Sequence, residues 1–108
     1  MKYSLVIDNE VKGYIDYTEK NSNKIFINLI LIYEKFRGNN YSSILFEKFR
    51  SHFQNYQLSL VAKEDMNRYG KLYNIYESWG FKGLGKESIY SENEHTFRKK
   101  LFVLNDGV

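Results

Sequence analysis

The run EKFRGNNYSS, residues 34–43, collects residue types that can hold an anion at the start of a helix. Gly38 lets the backbone turn tightly, Asn39 and Asn40 tolerate left-handed conformations, and Ser42 or Ser43 can cap a helix or donate to a phosphate. Arg37 adds a fixed positive charge. A helix beginning near Tyr41 would add unpaired N–H groups and the positive end of its macrodipole. Any strand-to-helix turn needs caps, so the run alone also reads as a plain helix start. The Walker pattern and the dinucleotide glycine fingerprint are both missing, which argues against those two phosphate chemistries.

A second run, LYNIYESWGFKGLG, residues 72–85, sets an aromatic-rich helical pattern directly before a Gly-Phe pair. Together the two runs resemble the GNAT N-acetyltransferase superfamily. There, a strand of the form L-x-V leads through P-x-Y into R-G-x-G-x-G or A, and a later helix ends in L-Y-x-x-x-G-F. Ile30 and Ile32 stand at the strand positions, Phe36-Arg37-Gly38 at Y-R-G, and Ile75-Tyr76 with Gly80-Phe81 at the later motif. Glu34 replaces the family's frequent Pro, Asn40 its second Gly, and Ser42 its third small residue. Asn can adopt the conformations for which Gly is used.

The resemblance covers nearly the whole chain and implies direct transfer of acetyl from acetyl-CoA to an amine. Pantetheine would run along the backbone of Ile30, Leu31 and Ile32. Pyrophosphate would sit on the amides of Arg37, Gly38, Asn39, Asn40, Tyr41, Ser42 and Ser43. Tyr76, at the family's general-acid position, would protonate the departing thiolate, since a phenol of ordinary pKa about 10 is protonated at neutral pH. Tyr73, one turn earlier on the same stripe, is the substitute if the register differs. The two helices usual after the family's first strand are missing, so the acceptor side should be open, favouring protein or peptide amines over small molecules.

An amine acceptor must also lose a proton. The long strand carries no carboxylate, so Glu64 and Asp65 are the candidates for a base, although both read first as turn residues. An N-terminal amine, with an ordinary pKa near 8, demands less of a base than a lysine does. His52 and His95 lie far apart without Cys companions or ligand spacing, so no metal is expected. His52 suits a helix C-terminus. Asn28 either orients substrate or satisfies a backbone group. FKGLGKE, residues 81–87, reads as a turn, and FRKK, residues 97–100, as a solvated edge.

The elements that must position these groups follow from periodicity. YSLVID and VKGYIDY, around a polar turn, read as a hairpin. IFINLILIY, Ile25 to Tyr33, has Asn28 as its single polar residue and suits a central strand buried on both faces. Tyr41, Leu45, Phe49 and Phe53, flanked by Ile44 and His52, have helical spacing. LSLVA, residues 58–62, is a short buried strand and KEDMN a turn. Tyr69, Leu72, Tyr73, Tyr76 and Trp79 mark a second helix, stopped by Gly80, with Trp79 in the core. ESIY, the turn SENE and HTFRKKLFVL close the chain as an antiparallel pair. The fold class is α/β, a mixed and mostly antiparallel sheet flanked by two helices.

The 108 residues allow one domain, 1–108, with a modest core. Ten Tyr and eight Phe supply that core, and the lack of Cys removes disulfides, thiolate metal sites and a Cys nucleophile. The net charge of +3 is spread over both halves, so small anionic ligands fit better than nucleic acid. Acidic residues follow too soon after the start for a signal peptide, and no apolar run approaches a membrane span. The expectation is a cytoplasmic monomer or homodimer. The rival reading is a catalytically silent module of the same fold that binds a protein or nucleic acid.

Overall fold

A computed structural model describes residues 1–66 and 71–105. The chain divides into two compact units, one of residues 1–56 and one beginning at Gln57. The first contains strands β1 (Lys2–Ile7), β2 (Glu10–Asn21) and β3 (Lys24–Ile32), a 3-10 turn (Glu34–Phe36) and helix α1 (Tyr41–His52). The second contains β4 (Gln57–Asp65), α2 (Lys71–Ser78), β5 (Lys82–Glu92) and β6 (His95–Leu104). The result is the expected mixed α/β chain: β1–β2, β2–β3, β4–β6 and β5–β6 all pair antiparallel.

In the first unit Asp8 and Asn9 join β1 to β2 with φ of 54° and 62°. Two left-handed residues match the twist of the flanking strands, and Asp and Asn reach that region at low cost. So short a link leaves no helix after the first strand. β2 runs through TEK to Asn21, so the polar stretch after the hairpin is mostly strand rather than loop. At Gly13 a Cβ would overlap the Leu31 carbonyl oxygen, which accounts for the glycine inside β2. α1 lays Leu45, Phe46 and Phe49 over Leu5, Ile15, Ile25 and Ile27, all of them buried. Phe46 takes the place the spacing gave to Ile44, which is exposed.

β3 departs from expectation. Only Ile25 and Ile27 are buried, Leu29 is 46% exposed, and Ile30, Leu31 and Ile32 are half-buried. The register of β3 against β2 slips between Asp16 and Tyr17, leaving Asn28 extra. Beyond that bulge the apolar side chains border an open cavity instead of a core. Asn28 itself donates to the Thr18 hydroxyl at 2.9 Å, a cross-strand bond to a side chain and not to a backbone group.

In the second unit Leu58, Leu60, Ala62 and Glu64 alternate inward along β4. Glu64 and Asp65 are therefore strand residues, not turn residues. β5 starts at Lys82 and continues to Glu92, with a register shift between Leu84 and Ser88 where Gly85 takes φ 76°. FKGLGKE is a bulged strand, not a turn. β6 pairs with β4 on one side and β5 on the other, so FRKK lies on an inner strand and not on an edge. α2 buries Tyr73 beside Phe102, while Trp79 is only half-buried; Tyr69 of the predicted stripe lies outside the described residues. Gly80, with φ 101°, ends the helix: Phe81 N–H donates to Tyr76 O and Gly80 N–H to Glu77 O, the paired bonds of a Schellman cap.

Candidate functional site

The turn between β3 and α1 closes through short local bonds. Phe36 N–H donates to Tyr33 O and Arg37 N–H to Glu34 O, making the 3-10 turn. Gly38 then takes φ 87° and Asn40 φ 62°. Asn40 thus adopts the left-handed conformation for which a glycine would otherwise be used. It is also the N-cap of α1, without a side-chain capping bond, and the first intrahelical bond is Ile44 N–H to Asn40 O. Ser42 and Ser43 lie inside the first turn and do not cap it. The Tyr41, Ser42 and Ser43 amides are consequently open to an anion, and no acidic residue sits in that turn.

A cavity of about 350 Å³ opens at this helix start. Ile30, Leu31, Ile32, Phe36, Arg37, Gly38, Asn40, Tyr41 and Ser42 line it. Of the residues expected to bind a cofactor, only Asn39 and Ser43 do not reach its wall. Asn39 donates to Phe36 O at 2.9 Å and holds the turn from within. Arg37 Nε donates to Ile32 O at 3.1 Å, linking the end of β3 to the turn. Phe36 is the added lining residue, and its place in the Y-R-G pattern was the available signal. The residues present suit an extended ligand with an apolar arm and an anionic group: aliphatic side chains along β3, the Arg37 guanidinium where β3 ends, and the amides of the helix start beyond it.

Tyr76 lies half-buried on α2, packed at 5.6 Å from Trp79 and about 6 Å from both Phe81 and Phe102. Burial among these rings pushes its phenol above the ordinary tyrosine range, so it holds its proton at neutral pH. Tyr73 is more deeply placed, only 6% exposed, and burial first, then the Glu87 charge, pushes it up to about 12. The Arg98 guanidinium sits 4.1 Å from the Tyr73 ring centre.

Glu64 is held on both oxygens. One accepts Arg98 at 2.7 and 2.8 Å, and the other accepts the Tyr73 N–H at 2.9 Å. A carboxylate so engaged, and 4% exposed, anchors the first turn of α2. Asp65 lies 3.1 Å from His95 Nδ1, a pairing that sequence distance concealed. Asp65 also borders a second cavity of about 570 Å³ with Lys63, Glu64, Lys71, Leu72, Ile75 and Phe97. Among the described residues no group of three or more His, Cys, Asp or Glu could hold a metal ion, and no helix is long and apolar enough to cross a membrane.

No protein-family model matches the sequence, and no curated protein matches it. Solved structures do match, and they define the class of fold: the chain has the fold of the GNAT acetyltransferases. The ribosomal-protein-S18-alanine N-acetyltransferase of Escherichia coli aligns with a TM-score of 0.78 at 12% identity, over 96% of this chain and 67% of that one. A GNAT-family acetyltransferase from Elizabethkingia anophelis, solved with acetyl-CoA bound, aligns at 0.69 and 17% identity over 95% and 74%. An aminoglycoside 6'-N-acetyltransferase complexed with coenzyme A aligns at 0.62 and 12% identity over 93% and 70%. The chain spans about two thirds of the length of the first of these.

Proposed function

We propose that residues 1–108 act as one N-acetyltransferase domain that moves acetyl from acetyl-CoA directly to an amine. The observation that carries this reading is the Gly38–Ser42 turn. Left-handed Gly38 and Asn40, open helix amides and Arg37 surround a cavity whose other wall is the apolar end of β3. In a fold shared with an acetyl-CoA complex and a coenzyme A complex, such a cavity suits pantetheine along Ile30 to Ile32 and pyrophosphate at Arg37 to Ser43.

The amine nitrogen attacks the thioester carbonyl, the C–S bond breaks, and Tyr76 gives its phenolic proton to the leaving thiolate. The proton lost by the amine goes to water or to Asp65; Glu64 is committed to Arg98 and α2. The absence of helices between β1 and β2 supports an acceptor as large as a protein or peptide amine.

Calorimetric titration with acetyl-CoA, free CoA and dephospho-CoA tests the first requirement. Micromolar binding of acetyl-CoA is expected. No heat at millimolar ligand would sink the enzyme reading and leave a partner-binding module as the better account. Acetylation of small polyamines or aminoglycosides but of no peptide amine would end the peptide preference alone.

A further inference from the structure

Lys12 is a buried lysine that the proposed chemistry does not use. It is 8% exposed and sits on β2, beneath the turn that follows β3. Its Nζ lies 4.0 Å from the centre of the Phe36 ring and 5.9 Å from that of Tyr41. These are the aromatic residues flanking Arg37 to Asn40, and both line the 350 Å³ cavity. Its backbone is tied to the same place, since Lys12 O accepts the Tyr33 N–H at 3.0 Å. Glu10 Oε1 accepts from Nζ at 2.8 Å and, through this bond, keeps the ammonium protonated beyond the usual lysine range. Lys35 approaches the other oxygen of Glu10 at 3.8 Å and the centre of the Phe36 ring at 4.9 Å.

We propose that Lys12 is a positioning residue for phosphate binding: its ammonium, set over the rings of two residues that line the cavity, fixes Phe36 and Tyr41 and so holds the turn's amides toward a pyrophosphate. The proposal rests on the acetyl-CoA reading of this cavity. A buried cation on an aromatic face is favoured more strongly than an exposed one, because water no longer competes for it. A lysine devoted only to solubility would extend to solvent, as lysines ordinarily do. Holding the turn in advance matters because Gly38, with open space about it, would otherwise sample many conformations at an entropic cost to binding. Glu10 limits the field Lys12 projects, so its main effect is on the shape of the turn.

The test compares acetyl-CoA with acetyl-pantetheine, which has the thioester arm and no phosphate, on wild type, Lys12→Met, Lys12→Arg and Phe36→Leu. Lys12→Met should weaken acetyl-CoA binding roughly tenfold. It should leave acetyl-pantetheine binding unchanged, and Lys12→Arg should restore most of the loss. A merely structural lysine would weaken both ligands together or neither, and either pattern overturns the proposal. If Lys12→Met does not fold, Phe36→Leu decides: selective loss of acetyl-CoA supports the proposal, and equal affinity overturns it. Wild type that binds neither ligand removes the acetyl-CoA reading itself, and this outcome is distinct from wild type that binds while the variants bind equally.

Discussion

The phenol of Tyr76 and the carboxylate of Glu64 show how differently single residues were legible. Tyr76 stood in a run whose neighbours, Ile75, Gly80 and Phe81, carry local pattern, and the helix and its glycine cap follow from that run. Tyr76→Phe is expected to lower turnover by about 10²-fold or more while acetyl-CoA affinity, measured by calorimetry, stays at the wild-type value. Because burial raises its pKa and the proposed general acid must hold its proton, deprotonation should limit the rate only above the ordinary tyrosine value of about 10. The wild-type rate should hold through neutral pH, and Tyr76→Phe should lack that alkaline limb. Glu64 was misread because its partner Arg98 lies 34 residues away and the β4–β6 register brings them together. Glu64→Ala leaves the half-buried Arg98 guanidinium with Glu87 alone, 3.6 Å away, and leaves the Tyr73 N–H without its acceptor, so denaturant unfolding should show a loss of about 1–3 kcal/mol.

Elements were legible where one local pattern decided them and obscure where pairing did. The Asp8–Asn9 hairpin, α1 and α2 follow from turn chemistry and apolar spacing. The extents of β4 and β5 do not, since KED and KGLGKES carry the polar and glycine residues of loops and become strand through the ladders to β6. β3 was placed correctly but its apolar second half was assigned to a core. A run of aliphatic residues gives the same pattern whether it faces packed side chains or a ligand groove. At the turn the backbone itself is the discriminator. Asn40→Gly removes no capping bond and keeps φ 62° accessible, so affinity for acetyl-CoA should hold or improve. Asn40→Val puts a β-branched residue there at a cost of about 1–3 kcal/mol, and both melting temperature and affinity should fall.

For the molecule as a whole, stability at high pH depends on a residue outside the proposed chemistry. Tyr73 has its pKa raised from 10.0 to about 12 by burial. Between those values the unfolded chain has lost this proton while the folded one keeps it, so the protonated side chain stabilises the fold below pH 10 and that contribution fades as pH rises towards 12. Its size is on the order of 2–3 kcal/mol. Urea unfolding at a series of alkaline pH values should show a stability slope in wild type that Tyr73→Phe flattens.

The half-open end of β3 has a consequence for how the chain survives before any ligand arrives. Ile25 to Tyr33 is nine residues without charge or proline, and its second half is not sealed by packing. Uncharged, β-prone segments of this kind are the ones that stack between chains into cross-β aggregates. A small molecule lying along Leu29 to Ile32 would therefore do more than supply a reacting group, since covering the segment would also keep it from its own copies. Refolding by dilution should give more soluble protein with acetyl-CoA present than without it, and a single charge at the exposed Leu29, as in Leu29→Lys, should improve the yield even when no ligand is added.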